Sequence, residues 1–297
     1  MQYPFQLSCE STVDLPYSYI TSRDISVIFY TYIMDDKEYV DDMGRDPEAL
    51  PNFFAMLKEG KQPSTSQINT FRYEEYFDGL LQKGDVLHIA FGTGMTPSYR
   101  NACEAAETLK KKYPDRKLII VDSLCSCLGY GIFVESIADM RDNGSTIEEI
   151  EAWALENRNT VHHQFFSTDL TQFKRSGRVS GPAAAIGTIL GICPIMHLNN
   201  EGRIIAYAKV RGKKAAISTT VETVMEHIKN GKEYNDRFYI GHSNCPELAK
   251  ETKEALGKYL PNADKMIKIF NIGTIISAHC GEGTVALFFY GDERKAI

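Results

Sequence analysis

No stretch of this sequence approaches the roughly 18 consecutive apolar residues that a membrane-spanning helix requires. No basic tail or stripe appears either. The 33 lysines and arginines are outnumbered by 39 aspartates and glutamates, and the net charge of −6 argues against nucleic acid as the main partner. The opening residues, MQYPFQLSCESTVD, lack the positive and apolar regions of a secretory signal, so none is expected. Metal-ligand spacing is missing: Cys125 and Cys127 stand as C-x-C, not as paired C-x-x-C. His162 and His163 are adjacent on a strand and face opposite sides, so they are not expected to share a metal, and no metal site is expected. An odd count of seven scattered cysteines suits reduced thiols in a cytoplasm. Phosphate loops are absent as well. After Gly92 and Gly94 no lysine follows, and Pro97 stands where a dinucleotide turn needs its third glycine.

What is present is an ordinary globular composition, 43% hydrophobic and 24% charged, in a chain of 297 residues, long enough for two domains. The first half alternates strand and helix patterns. FQLSCES and ISVIFYTYI read as strands, and DVLHIAF and KLIIVDS as short apolar runs of the buried parallel kind. Between them, DPEALPNFFAMLKEG reads as a helix capped by Asp46, with Pro47 just inside and Gly60 at its end. FRYEEYFDGLLQKG reads as a second helix, with Phe77, Leu80 and Leu81 inward. Thr146 and Glu149 are spaced for a capping box. After Arg158 the rhythm changes. PIMHLNNEGRIIAYA reads as a hairpin around residues 199–202, and helices then alternate with strands at RFYIGHS, KMIKIFNIG and GTVALFFYG. The reading is an α/β protein of two domains, 1–158 and 159–297. The first holds a parallel sheet flanked by helices.

Three loops carry neutral donors. Ser64, Thr65 and Ser66 follow one helix; Thr93, Thr96 and Ser98 open another; His279 stands between a strand pattern and two glycines. Thr96 fits a helix cap, with Pro97 as the first helical residue. Neutral donors at a helix start suit a single negative charge. A diphosphate would need lysine or arginine besides, so the loops point to a carboxylate.

These loops, in this order, resemble those of the DegV family of bacterial proteins. ESTVDLP, residues 10–16, stands where the family has D-S-T-x-D-L-P. TSQIN, residues 65–69, stands for T-S-Q-P-S, and GTGMTPSY, residues 92–99, for S-S-G-L-S-G-T-Y. Asp122 and Ser123 match D-S after a strand. Gly177, Arg178 and Val179 match G-R-I/V, and HCGEG, residues 279–283, matches H-T-G-P-G. The resemblance spans essentially the whole chain. It implies two α/β domains with a ligand tunnel between them, holding one long-chain fatty acid and no other cofactor. It further implies a carrier, not an enzyme: the binding subunit of a two-component fatty acid kinase, which presents the acyl carboxylate to a separate kinase subunit. Carried over, Thr65 and Thr93 donate hydroxyls to the carboxylate, Gly94 its backbone N–H, and His279 completes the site, with Ser66 and Thr96 beside them. Arg178 matches a kinase-contact or domain-bracing residue. Among the departures, Glu10 replaces aspartate, Gly92 a serine and Glu282 a proline. Glu282 is expected close to the anion site. A stand-alone hydrolase or phosphotransferase using Asp122, Ser123 or the Thr93 loop, and a binder of another carboxylate lipid, are the competing readings.

Overall fold

The computed structural model describes residues 3–180 and 191–296. Its first half runs β1 (Gln6–Glu10), α1 (Tyr17–Ser22), β2 (Ile25–Ile28), β3 (Thr31–Met34), β4 (Lys37–Val40), α2 (Ala49–Lys58), β5 (Ser64–Thr65), α3 (Thr70–Leu81), β6 (Val86–Ala90), α4 (Ser98–Lys112), β7 (Leu118–Asp122), α5 (Cys127–Asp142) and α6 (Ile147–Asn157). The second runs β8 (Val161–Ser167), α7 (Thr171–Ser176), β9 (Val179–Ser180), β10 (Ile192–Leu198), β11 (Ile204–Arg211), α8 (Lys213–His227), β12 (Phe238–His242), α9 (Pro246–Gly257), α10 (Ala263–Met266), β13 (Ile267–Asn271), α11 (Thr274–Cys280) and β14 (Thr284–Tyr290).

β2-β1-β6-β7 form a wholly parallel sheet. Every residue of β6 is buried, as a parallel strand covered on both faces requires. The second sheet is mixed, in the order β13-β12-β14-β8-β10-β11-β9. β10 and β11 form the expected antiparallel hairpin. The Thr146–Glu149 capping box is complete in both directions. α5 is apolar around nearly its whole circumference, the pattern of a core helix. It packs on the turn after β1 and on β8, β12 and β14, and so joins the two sheets. Two glycines permit this approach. A Cβ at Gly129 would lie 2.3 Å from His163 Nε2, and one at Gly131 2.7 Å from the Val13 carbonyl oxygen.

Four local expectations shift. ISVIFYTYI is not one strand: β2 joins the parallel sheet, while β3 joins a small antiparallel sheet with β4 and β5. At the break, Ser11 Oγ accepts from Tyr30 N–H at 3.1 Å, and Arg72 donates to the Phe29 carbonyl at 2.7 Å. Side chains there replace ladder partners. α2 begins at Ala49, because Asp46 closes a turn by accepting from Glu48 N–H at 2.9 Å. α4 begins at Ser98, with Pro97 as its cap. His279 sits in the last turn of α11, not in an open loop.

Candidate ligand-binding site

β5 pairs with β3 through Tyr32 and Thr65, which fixes Thr65 by its backbone. The loop beyond is tied to the first turn of α4. Ser98 Oγ accepts from Ile68 N–H at 3.1 Å, and Asn101 donates to the Ile68 carbonyl at 2.7 Å. Tyr30 donates to the same Ser98 oxygen at 2.8 Å, and Thr96 Oγ1 lies 3.0 Å from it. One buried serine therefore organises two of the three hydroxyl loops. The third arrives on α11: His279 Nε2 lies 2.9 Å from Thr65 Oγ1, across 214 residues of sequence.

These groups edge a cavity of about 290 Å³. Thr65, Ser66, Thr96, Arg178 and His279 line it together with Phe91, Met95, Phe173 and Ile275. Its floor is one face of the β8–β14 pair. His163 and Phe165 of β8 and Thr284, Ala286 and Phe288 of β14 line it as alternate residues, with Phe165 paired to Ala286 and His163 to Phe288. Burial pushes the His279 imidazole down to about 4, and the Arg178 charge adds to the shift, so the ring is neutral near pH 7. Its Nδ1 is buried without a partner among the described residues. Arg178 is exposed, and it is the one permanent cation among the described lining residues.

Thr93 and Gly94 do not line the cavity. Thr93 is exposed, and its N–H donates to Asp122 Oδ1 at 3.1 Å. Gly94 abuts the hairpin turn, where an added Cβ would lie 2.4 Å from the Gly202 carbonyl oxygen. The loop bends back there, with Met95 N–H on the Gly92 carbonyl at 2.9 Å, so Met95 and Thr96 reach the cavity instead. Glu282 also departs from expectation. Gly281 and Gly283 both take positive φ and carry it away, and it accepts from Asn244 at 2.6 Å beside a second cavity. Sequence reasoning missed Tyr30, Ser126 and His163 as lining residues. For His163 a signal existed, since strand alternation puts it on the face of Phe165.

The second cavity, about 850 Å³, is lined by Asp14, Asp41, Asp42, Asp46 and Glu282, with Thr274 and His242. Thr274 donates to Asp41 Oδ1 at 2.8 Å. Burial, and then the Asp41 charge, raise the Asp14 carboxyl well above its usual range; burial likewise raises Asp41. Asp122 and Ser123 are engaged elsewhere. Asp122 accepts from Thr93 and Leu124 N–H groups, and Ser123 Oγ from Cys125 N–H at 3.1 Å.

A family model described as an uncharacterised protein of the DegV family matches residues 5–292. A DegV domain-containing protein of Clostridium perfringens is 36% identical over 293 residues, covering 98% of this chain and 99% of that one. Among solved structures, DegV of Bacillus subtilis, described as a fatty acid binding protein, superposes with a TM-score of 0.79 at 25% identity and covers 98% of this chain and 100% of its own. A DegV lipid binding protein of Thermotoga maritima gives a TM-score of 0.82 at 24% identity, covering 98% and 99%. The two-domain α/β architecture is thus shared along the full length of these chains.

Proposed function

The chain belongs to the DegV family, and from that premise we propose that it binds one long-chain fatty acid between its two domains, 1–158 and 159–297. The observation that carries the reading is the Thr65–His279 pair at the edge of an apolar cavity, with an imidazole nitrogen left unpartnered among the described residues. In this reading His279 Nε2 accepts from the Thr65 hydroxyl, which leaves the proton on the unpartnered Nδ1 to be donated to a carboxylate oxygen. Ser66 and Thr96 supply further hydroxyls. A buried carboxylate is costly unless hydrogen-bonded, and charge-assisted bonds stabilise it by about 1.5–3 kcal/mol each. The acyl chain contributes about 0.8 kcal/mol per buried methylene, so a sixteen-carbon chain gains on the order of 10 kcal/mol before the costs of ordering.

In this reading the protein is a bacterial cytoplasmic carrier that presents its cargo to a separate acyl kinase. Exposed Arg178, at the cavity edge, is the partner contact. No described helix is long and apolar enough to cross a membrane, which suits a carrier that exchanges cargo without inserting. A stand-alone hydrolase has less support, because Asp122 and Ser123 are occupied by backbone N–H groups. The test is native mass spectrometry of the purified protein, followed by denaturation and identification of what is released. One fatty acid per chain is expected. A different carboxylate lipid would change the cargo but keep the site. A protein that arrives empty and ignores added fatty acids overturns the reading.

A further inference from the structure

On the opposite face of β8, turned away from the cavity, His162 meets two residues from distant parts of the chain. His227 ends α8, and Asp292 follows β14. His162 Nε2 lies 3.1 Å from Asp292 Oδ1, and His227 Nδ1 lies 3.0 Å from the same oxygen. The three donor atoms all lie within 4.8 Å of one another. We propose that His162, His227 and Asp292 form a binding site for one divalent transition ion, with Zn²⁺ as the ion its donor set favours.

Two imidazoles and a carboxylate, with room for a water, are a zinc set with an open fourth position. Metal–ligand distances of about 2.0–2.1 Å place neighbouring donors of a tetrahedron roughly 3.3 Å apart, close to the two His–Asp separations; His162 Nε2 also hydrogen-bonds the Asp292 carbonyl at 2.9 Å, a bond the ion would replace. Magnesium and calcium prefer all-oxygen shells and fit poorly. The backbone is shaped for the meeting: a Cβ at Gly291 would lie 2.4 Å from the His227 carbonyl oxygen and 2.7 Å from His162 Cδ2. Solvent reaches the trio through Asp292, whose side chain is half exposed, so an ion can arrive from outside. The rings stack 5.0 Å apart at 23°, so ligation requires the one-third-exposed His227 to rotate toward the ion. The bound ion pins the end of α8 to the end of β14, beside the Ile228–Gly291 bridge.

The test is calorimetric titration of the tag-free full chain with ZnCl₂ and, separately, MgCl₂, together with the visible spectrum of the Co²⁺-loaded protein. One Zn²⁺ per chain is expected, with no saturable Mg²⁺ uptake. The cobalt spectrum should show d–d bands of nitrogen and oxygen ligation and no thiolate charge-transfer band. His227→Ala and Asp292→Asn, at side chains one-third and one-half exposed, should each weaken Zn²⁺ about tenfold or more while leaving the metal-free melting temperature nearly unchanged. Absence of saturable Zn²⁺ uptake, uptake unchanged in both variants, or a thiolate band each overturns the proposal. The trio is then a hydrogen-bonded His–Asp–His cluster only.

Discussion

Two cavities are built from both halves of this chain, and their polar linings have opposite character. One offers hydroxyls, a neutral imidazole and an exposed arginine around aromatic walls. The other gathers five carboxylates, two of them buried. The same helix, α11, contributes to both: His279 faces the first, and Thr274, one end away, binds Asp41 beside the second. In the proposed reading a carboxylate ligand is favoured by the first lining and disfavoured by the acid-rich second. On that reading discrimination between the two rests on their polar linings, and it needs no lysine at the first.

The comparison breaks most readily at His279. His279→Ala should lower fatty acid affinity about 10–100-fold in a fluorescence titration, the loss of one bond to a charged group, with the fold intact. Unchanged affinity removes His279 from the site. Thr65→Val should cost about tenfold or less by the same assay, since a neutral hydroxyl is lost and the imidazole remains.

The pH responses of the two regions sharpen the contrast further. A folded His279 near 4 stays neutral where the unfolded residue protonates. Its stabilisation is full above about 6.5 and is lost as pH falls toward 4. Asp14 and Asp41 run the other way. Their raised carboxyls hold protons that the unfolded chain releases, so the folded state loses stability as pH rises from about 3.8 through their folded values. Asp14→Asn should thus raise the melting temperature more at pH 8 than at pH 5. Asparagine also tolerates the left-handed backbone at that position. An equal shift at both pH values would mean that Asp14 carries no raised carboxyl. In the first cavity a bound carboxylate favours imidazolium, so binding should take up protons and tighten by a few-fold from pH 7.5 to 5.5; a flat profile would separate His279 from the carboxylate. The smallest expected change is in lipid affinity of Arg178→Ala, which should be near wild type while acyl phosphorylation with a cognate kinase falls. Normal turnover in the reconstituted assay would remove Arg178 from the partner surface.

Much of the fold was legible because it is local. β6 and β7 announce themselves as apolar runs, the 199–202 turn as a hairpin, and Thr146–Glu149 as a cap, since each depends on residues within a few positions of one another. The break between β2 and β3 was not legible. It is held by Ser11 and Arg72, whose side chains arrive from other elements. The candidate site divides in the same way. Hydroxyl loops can be read from sequence, but which hydroxyl faces inward depends on packing. Thr96 enters while Thr93 turns out, because the loop bends where Gly94 meets Gly202. The Thr65–His279 contact spans most of the chain, and only the likeness to a family pointed to it.

α5 carries one more consequence. Its cap Ser126 and first residue Cys127 form part of the cavity wall, and its length is wedged against β8 at Gly129 and against the turn after β1 at Gly131. A helix seated that tightly acts as a keystone, since parting the two halves would expose its apolar circumference to water. The pieces at the rim are smaller: α7, six residues long, and α11, seven, are joined where Ser176 donates to the His279 carbonyl at 3.4 Å.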